Sequence, residues 1–368
     1  MRVGLVIYGS LDTVSGGYLY DRQLVRYLER EGDTVETLSL PWRNYVRHLT
    51  DNWSAYLRRR LEVGYDVLLQ DELNHPSLAW MNGRLSRCAP IVSIVHHLRC
   101  SEVRPRWQNA LYRCVERRYL CSVDGYIFNS RTTRVAVEAL VGAGRPSVVA
   151  YPGGDRFGWP DLTGLPGPVR SSCSPLRLLF VGNLIPRKGL HVLLAAVAQL
   201  PDVDWRLTIV GQPVDVPYAR RLRRLADELP AGRVNWRGGL DDAALAAEMG
   251  AADALVVPSS YEGFGIVYLE GMGFGLPAIA TTGGAAAEII TDGVDGFLIP
   301  PDDPAALTAR LAALTDSALL AAMSAAARAR FARHPTWEQT AAATRAFLVE
   351  MAARRSQMDA DGRLPLTD

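Results

Sequence analysis

The sequence predicts an α/β protein of two Rossmann-like, doubly wound domains facing across a cleft. Its 368 residues suffice for two domains of roughly 100–200 residues each. Short apolar runs alternate with helical periodicity in two successive series, a pattern that favours parallel sheets covered on both faces. Between the series, Tyr151–Pro175 is rich in Pro, Gly and Ser and lacks periodicity, so it reads as a linker.

In the first series, Val3–Tyr8 reads as a buried strand leading into a loop that contains Gly16 and Gly17. Tyr18–Glu31 has helical spacing, with Leu19, Leu24 and Leu28 as apolar anchors. Further strands are expected at Thr34–Leu38, Val67–Gln70, Ile91–Val95, Gly125–Phe128 and Ser147–Ala150. Arg106–Cys121 is expected to be helical, with Arg113, Arg117 and Arg118 on or near one face. Such a face is more often solvated than docked on a membrane, and both readings stand.

After the linker the rhythm restarts. Strands are expected at Arg177–Val181, Arg206–Val210, Val234–Trp236, Ala254–Val257, Ala278–Ala280 and Phe297–Ile299, with helices at Gly189–Leu200, Pro217–Leu229 and between the later strands. Thr336–Arg355 is amphipathic, anchored by Trp337, Phe347 and Met351, and a polar tail from Gln357 is expected to fray. The expected division is residues 1–165 and 166–335 for the two domains, 336–355 for a helix packing back toward the first, and 356–368 for the tail.

Composition narrows the function classes. An apolar fraction of 48 % with 21 % charged residues is that of a soluble globular protein. A net charge of +1 provides no bulk field for nucleic acid, which is not expected as a partner. Charge is uneven, however: residues 1–150 hold 20 Arg against 15 acidic residues. This is either surface noise or a basic half facing an anionic acceptor or a membrane surface. Cys88, Cys100, Cys114, Cys121 and Cys173 are odd in number and form no C-x-x-C, which points to a reducing compartment and away from zinc. The opening MRVGLVIYGS fits a first strand better than a signal sequence, and no run of 18 uncharged apolar residues occurs. The expected location is cytoplasmic, with peripheral membrane contact through the Arg-rich first half as its extension. One detail is unusual: of 40 basic residues, only Lys188 is a lysine. A site that prefers a compact ammonium to a planar guanidinium would select it.

Four segments carry candidate chemistry. In PSSYEGFGIVYLEGMGFGLPAIATT, from Pro258 to Thr282, a strand ends, Gly263 and Gly265 permit a tight turn, and a helix begins at about Gly265. The N–H groups of that helix start form an anion site; Glu262 lies in the loop and Glu270 in the helix. Glycines serving only the fold, with solvated glutamates, would give the same composition. In FVGNLIPRKG, Phe180–Gly189, Arg187 and Lys188 precede another helix at a strand end. Two such cations can hold a departing diphosphate and stabilise the charge it gains as a glycosidic bond breaks; a surface basic pair is the plainer reading. The loop GSLDTVSGG, Gly9–Gly17, is not a G-x-G-x-x-G fingerprint, and Gly16-Gly17 alone is weak evidence for contact with a phosphate or sugar. His96-His97 follows the strand Ile91–Val95, whose C-terminal end points into the cleft of such a sheet. His96 suits a sugar hydroxyl or a proton transfer, whereas His97 reads as structural. Gln70-Asp71-Glu72 ends another strand and either meets an acceptor or caps the chain from Leu73.

Taken in this order, the E-x7-E motif Glu262…Glu270, VGNLIPRKG with Lys188, the pair Gly16-Gly17 and the strand-end His96 resemble the GT4 family of retaining glycosyltransferases, whose fold is GT-B. The resemblance is clearest over Leu176–Pro304 and looser before it. It implies an acceptor-side first domain and a second domain that binds a nucleotide-diphosphate sugar. Lys188 and Arg187 would bind the diphosphate, Glu270 the ribose hydroxyls, and Glu262 the donor sugar together with the N–H groups of Gly263, Phe264, Gly265 and Ile266. The segment Gly238–Leu240 would meet the base, with Gly182 and Gly211 lining the donor site. Gly16 and Gly17 would approach the phosphates, and His96 would touch the sugar near its reacting carbon. His96, Glu262 and Lys188 form the implied catalytic set. The resemblance also implies transfer of a hexosyl-type sugar with retained configuration. No metal and no cofactor beyond the sugar nucleotide are implied, since protein cations replace the metal and no D-x-D motif stands where one is expected. One departure is Asn183, where many relatives carry Arg directly after VG; Arg187 is the residue that would take over its charge.

The acceptor is left open among a small metabolite, a lipid and a polysaccharide, and the donor base among UDP, GDP and ADP. Two other classes share these features: a sugar-nucleotide epimerase or phosphorylase on the same fold, and a non-catalytic protein that keeps the nucleotide-sugar site.

Overall fold

A computed structural model of the chain describes residues 1–86, 89–102, 104–158, 174–200 and 203–361, with side chains as far as residue 355. The chain forms two compact units: Met1–Pro152 together with the C-terminal segment from Pro335, and Gly153–His334.

The first unit is built on six parallel strands: β1 (Arg2–Tyr8), β2 (Thr34–Leu40), β3 (Val67–Asp71), β4 (Ile91–Val95), β5 (Gly125–Phe128) and β6 (Ser147–Val149), in the order β2-β1-β3-β4-β5-β6. Val3 sits opposite Val35 on one side and Val67 on the other. The inner strands are buried on both faces, and they are near-continuous apolar runs for that reason. Ser93, a polar residue in β4, accepts a hydrogen bond from the Tyr119 hydroxyl at 2.9 Å. The strand order reverses between β1 and β3, and ligands of open parallel sheets bind outside the strand C-termini at such a point. The loop after β1 runs into the helix Gly16–Arg30, capped by Ser15, whose hydroxyl accepts from the Tyr18 N–H. Its buried face carries Leu19, Leu24 and Leu28, and also Asp21.

The helix Trp337–Asp361 packs within this same unit, against the helix Gly16–Arg30. Trp337, Phe347 and Met351 are buried, and Thr344 meets the Tyr20 hydroxyl at 3.3 Å. The helix runs past Arg355 to Asp361, so the expected tail is partly helical; residues 362–368 lie outside the described residues. Short helices at Tyr45–Leu49, Ala55–Leu61 and His75–Leu78 had no counterpart in the sequence reading, because four to seven residues are too few to establish a period.

The second unit repeats the plan with β7 (Leu176–Val181), β8 (Trp205–Val210), β9 (Val234–Gly238), β10 (Ala254–Val256), β11 (Ala278–Thr281) and β12 (Gly296–Ile299), ordered β12-β11-β10-β7-β8-β9. Its order reverses between β7 and β10. Arg177 ties these two strands at their starts: its backbone N–H and its guanidinium both donate to Asp253, at 2.8 and 2.6 Å. The division from the first unit falls at Pro152, not at residue 165. Residues 153–158 belong to the second unit because Gly154 lies against Leu269 and Phe331, where a Cβ would come within 2.6 Å of Leu269 Cγ. The rest of the expected linker, residues 159–173, lies outside the described residues, as do Cys88 and Cys173. Among the described residues, no single helix is long and apolar enough to cross a membrane.

A charged contact fastens the C-terminal helix to its unit. Asp33, with a fully buried side chain, accepts from the Arg345 guanidinium at 2.6 Å. Burial alone would raise the Asp33 carboxyl, but Arg345, together with the Met1 amine at 3.0 Å, overrides it and pulls the group below its ordinary value. The folded carboxyl therefore titrates below the unfolded one, so the contribution is complete above the unfolded value and fades as pH falls through the folded one. Arg345→Met should cost about 1.5–3 kcal/mol at neutral pH. Denaturant melts of both proteins should converge as pH is lowered toward 3, and a gap that persists unchanged there would contradict this assignment.

Candidate active site

The second unit gathers its charged residues at the C-terminal ends of β7 and β10, where the strand order reverses. After β7, a turn of 3-10 helix, Pro186–Lys188, ends at Gly189 with φ +70°. A Cβ on Gly189 would lie 2.0 Å from the Pro258 carbonyl oxygen, so only glycine lets the two loops touch. The Ser260 N–H then donates to the Arg187 carbonyl at 2.8 Å. This joins segments more than 70 positions apart. Lys188 Nζ donates to Glu262 Oε1, which also accepts from Ser259 Oγ at 2.7 Å. Arg187 Nη1 lies 3.5 Å from Glu262 Oε2 and donates to the Tyr261 carbonyl at 2.7 Å. The backbone of Glu262 is held as well, by the Gly283 carbonyl at 3.0 Å and the Ala285 N–H at 2.9 Å.

Burial disfavours both charges, yet each sustains the other. It would raise the Glu262 carboxyl, but Lys188 and Arg187 hold that group down at about 2. Burial pulls the Lys188 ammonium below its ordinary value, and Glu262 opposes this. Glu262 is thus an anion throughout the physiological range, clamped to two cations.

Around this cluster, Gly182 packs beside the Lys188 stem, and a Cβ on Gly211 would meet the Gly182 carbonyl oxygen at 1.9 Å. The Gly211 N–H donates to the Gly238 carbonyl at 2.7 Å. The ends of β7, β8 and β9 therefore present a row of backbone without side chains, with half-buried Leu240 just beyond it. Gly263 and Phe264 lead from Glu262 to the helix Ile266–Gly273, whose N-cap is Gly265 and which has no side-chain cap. Glu270 lies inside that helix, nearly fully buried. Its Oε1 comes within 3.1 Å of Arg156 Nε, but the approach lacks hydrogen-bond alignment and both atoms are without a hydrogen-bond partner. Burial pushes the Glu270 carboxyl up to about 7, with Arg156 opposing. Arg156 was not foreseen, because it lies in the segment read as linker.

In the first unit, Gly16 and Gly17 open the first helix, and His96 follows β4. Gly17 faces the imidazole: a Cβ there would stand 3.1 Å from His96 Cδ2. Polar atoms of Asp21, Asp71 and His96 all lie within 4.8 Å of one another. Asp71 also caps the chain that follows, accepting from the Leu73 N–H at 2.9 Å. Burial, and then the Asp21 charge, raise the Asp71 carboxyl. Asp21 had a signal in the sequence, since it shares its helix face with Leu24 and Leu28. His97, expected to be structural, pairs with Glu102 at 3.1 Å.

A second buried group, Glu72, His75 and Glu116, also has donor atoms within 4.8 Å of one another, a spacing a metal ion can span. Their capacity is already used in part: Glu116 accepts from the N–H groups of Arg99 and Cys100, and His75 meets Tyr45 and the Glu72 carbonyl. Burial pushes Glu72 up to about 8 and Glu116 up to about 7, and pulls His75 down to about 4. Near pH 7 Glu72 and His75 are therefore mostly neutral and Glu116 is about half ionised, and the group acts as a buried polar brace.

Comparison with known proteins fits this geometry. The profile of the family described as Glycosyl transferases group 1 matches residues 171–330. A glycogen synthase of Mycobacterium tuberculosis is 30 % identical over 286 residues, covering 76 % of this chain and 67 % of that protein. A phosphatidyl-myo-inositol mannosyltransferase of Mycobacterium leprae is 28 % identical and covers 93 % of this chain and 94 % of its own. The sucrose-phosphate synthase structure from Thermosynechococcus elongatus superposes with a TM-score of 0.78 at 23 % identity, covering 98 % of this chain and 99 % of that one, and shows the same GT-B fold. With a relative at that identity and coverage, and a family profile centred on the Lys188–Glu262 unit, the chain belongs to the group 1 glycosyl transferases: it is a GT4-type glycosyltransferase that uses nucleotide-sugar donors.

Proposed function

We propose that the enzyme moves a hexosyl group from a nucleotide-diphosphate sugar to an acceptor hydroxyl with retention of configuration, and that it does so without a metal ion or further cofactor. The observation that carries this reading is the buried cluster Lys188–Glu262–Arg187 at the β7/β10 switch point. When the bond from the anomeric carbon to the diphosphate breaks, its electron pair passes to the phosphate oxygen. Lys188 and Arg187 meet that growing charge and stabilise the transition state more than the ground state. The acceptor oxygen bonds to the anomeric carbon, and its proton passes to the departing phosphate oxygen. Glu262, an anion held by both cations, orients them and accepts from the donor sugar, with the N–H groups from Gly263 to Ile266 beside it. The ribose hydroxyls go to Glu270, the base to Leu240, and the phosphates to the bare backbone of Gly182 and Gly211. His96, with Gly16 and Gly17, serves the sugar and phosphates from the first unit.

The location proposed is cytoplasmic, on an anionic membrane surface. The helix Arg106–Leu120 exposes Trp107, Leu111 and Cys114 at helical spacing, with Arg113, Arg117 and Arg118 among them. Arg118 lies over the Trp80 ring at 5.0 Å, and Trp80 stacks on the exposed Trp53. Exposed indoles interleaved with guanidinium groups fit an interface of apolar chains and anionic headgroups.

Lys188→Gln and Glu270→Gln should each lower kcat/KM by roughly 10²–10³ while the protein stays folded; wild-type turnover in both would overturn the assignment. A thermal-shift screen of UDP-, GDP- and ADP-sugars identifies the donor, since a ligand at 100 times its Kd adds about 2.7 kcal/mol. Consumption of donor without an acceptor, a requirement for inorganic phosphate, or binding with no turnover would instead favour epimerase, phosphorylase or binding protein.

Glu270 is protonated below about 7 and a carboxylate above it, and the carboxylate is the stronger acceptor for the two ribose hydroxyls. Affinity for the nucleotide sugar, measured by calorimetry, should therefore strengthen as pH rises from 6 to 8 and flatten in Glu270→Gln. For the membrane reading, the protein should co-sediment with vesicles containing anionic phospholipid but not with purely neutral ones. Replacing Trp107 and Leu111 by Ser should release it, and equal recovery on both vesicle types would contradict the docking face.

A further inference from the structure

Asp21 is fully buried on the helix Gly16–Arg30, and neither of its carboxylate oxygens has a hydrogen-bond partner. A carboxylate in that state is strongly destabilising unless a cation stands beside it. Among the described residues, its ion-pair partner is His96, with Nε2 at 3.6 Å from Oδ1. That nitrogen is itself buried and has no hydrogen-bond partner, so the ring's exposure falls on its other atoms.

The rest of the surroundings hold His96 in place without competing for its nitrogen. The His96 carbonyl accepts from Asn129 at 2.8 Å, which fixes the backbone. The Tyr20 ring meets the imidazole edge-on at 5.3 Å, and its hydroxyl is turned away toward the Ala150 carbonyl and Thr344. Gly17 abuts Cδ2. The titratable groups facing the ring are Asp21 and Tyr20 from the first helix, and Asp71 and Glu72 from the end of β3. Asp71 has a partner of its own in the Leu73 N–H, while Glu72 Oε1 lies 3.0 Å from His75 Nδ1 without a hydrogen bond. Among the described residues, the imidazole is the ion-pair partner of Asp21. Burial alone would lower the His96 value, and the facing carboxyls, Asp21 foremost, raise it overall.

We propose that Asp21 is the positioning residue for His96: from beneath the ring, its carboxylate faces Nε2 as the counter-charge of the imidazolium, fixes which edge of the ring is turned inward, and leaves the opposite edge to serve the ligand. A ring so held is a fixed donor, suited to a sugar hydroxyl or to an oxygen that gains charge during transfer. An untethered neutral imidazole would divide its population between two tautomers and lose that preorganisation. The inference rests on the proposed role of His96 only for its consequence; the pairing itself stands on the first unit alone.

The test is a ¹⁵N-edited NMR titration of the full-length protein, with the His96 signals assigned by their loss in His96→Gln. In the wild type, the His96 midpoint should lie above that of a free imidazole. In Asp21→Asn its midpoint should fall by about one unit, a tenfold weaker hold on the proton, and the pH profile of kcat should move with it. In Asp71→Asn the fall should be smaller. A neutral His96 in the wild type at pH 6.5 overturns the inference without any variant, should Asp21→Asn fail to fold. An unchanged midpoint in folded Asp21→Asn, or a larger fall in Asp71→Asn, also overturns it. If His96→Gln transfers sugar at the wild-type rate while Asp21→Asn still shifts the midpoint, the role proposed for His96 fails and the pairing stands.

Discussion

The ion pair between Lys188 and Glu262 is the contact on which the second unit's site depends. It links the loop after β7 to the loop after β10, the strands that flank the reversal of the sheet. A buried pair of this kind is weak evidence for stability, because desolvation cancels much of the attraction. Its value is positional. Removing Glu262 would leave two partly buried cations without their anion, and removing Lys188 would leave Glu262 to Arg187 alone at 3.5 Å, so each side chain is held in place by the others. Both cations are thus already fixed and already desolvated in part, the preorganisation that electrostatic stabilisation of an anion requires.

The first unit solves a similar problem with a different inventory. There a single imidazole faces Asp21, Asp71 and Glu72, and burial drives the last two toward their neutral forms. Both units are six-stranded parallel sheets with one reversal of strand order, although they split their strands differently about it, and each places its charged residues outside the strand C-termini near that reversal. They differ in what the backbone brings there: a glycine-bounded cation pair in one, a histidine over a buried aspartate in the other.

The sheets were legible because strands buried on both faces are apolar throughout, and a run such as Ile91–Val95 has few other readings. Lys188 and Glu262 were legible as candidates, through an odd lysine and a glycine-rich loop. Their direct contact was not, because no local pattern encodes a meeting across 74 positions. Arg156 was hidden by a stretch whose composition reads as linker. Asp21 was in plain view at i, i+3 and i+7 with Leu24 and Leu28, but a periodicity search looks for apolar residues and passes over a charge that shares their face. The short helices from Tyr45 to Leu78 fell below the length at which a period can be read.

The C-terminal helix gives the chain an order of completion. Synthesis lays down all six strands of the first sheet within 152 residues, yet the partners of Tyr20 and Asp33, namely Thr344 and Arg345, emerge only after the whole second unit. Domains fold broadly in the order in which they leave the ribosome, but here the one begun first must wait for the last helix. The second unit is contiguous and can finish on its own. Until that helix docks, the nascent first unit keeps an uncovered apolar face, and Asp33 has the Met1 amine at 3.0 Å but not yet Arg345, a period in which chaperone capture and aggregation compete with folding.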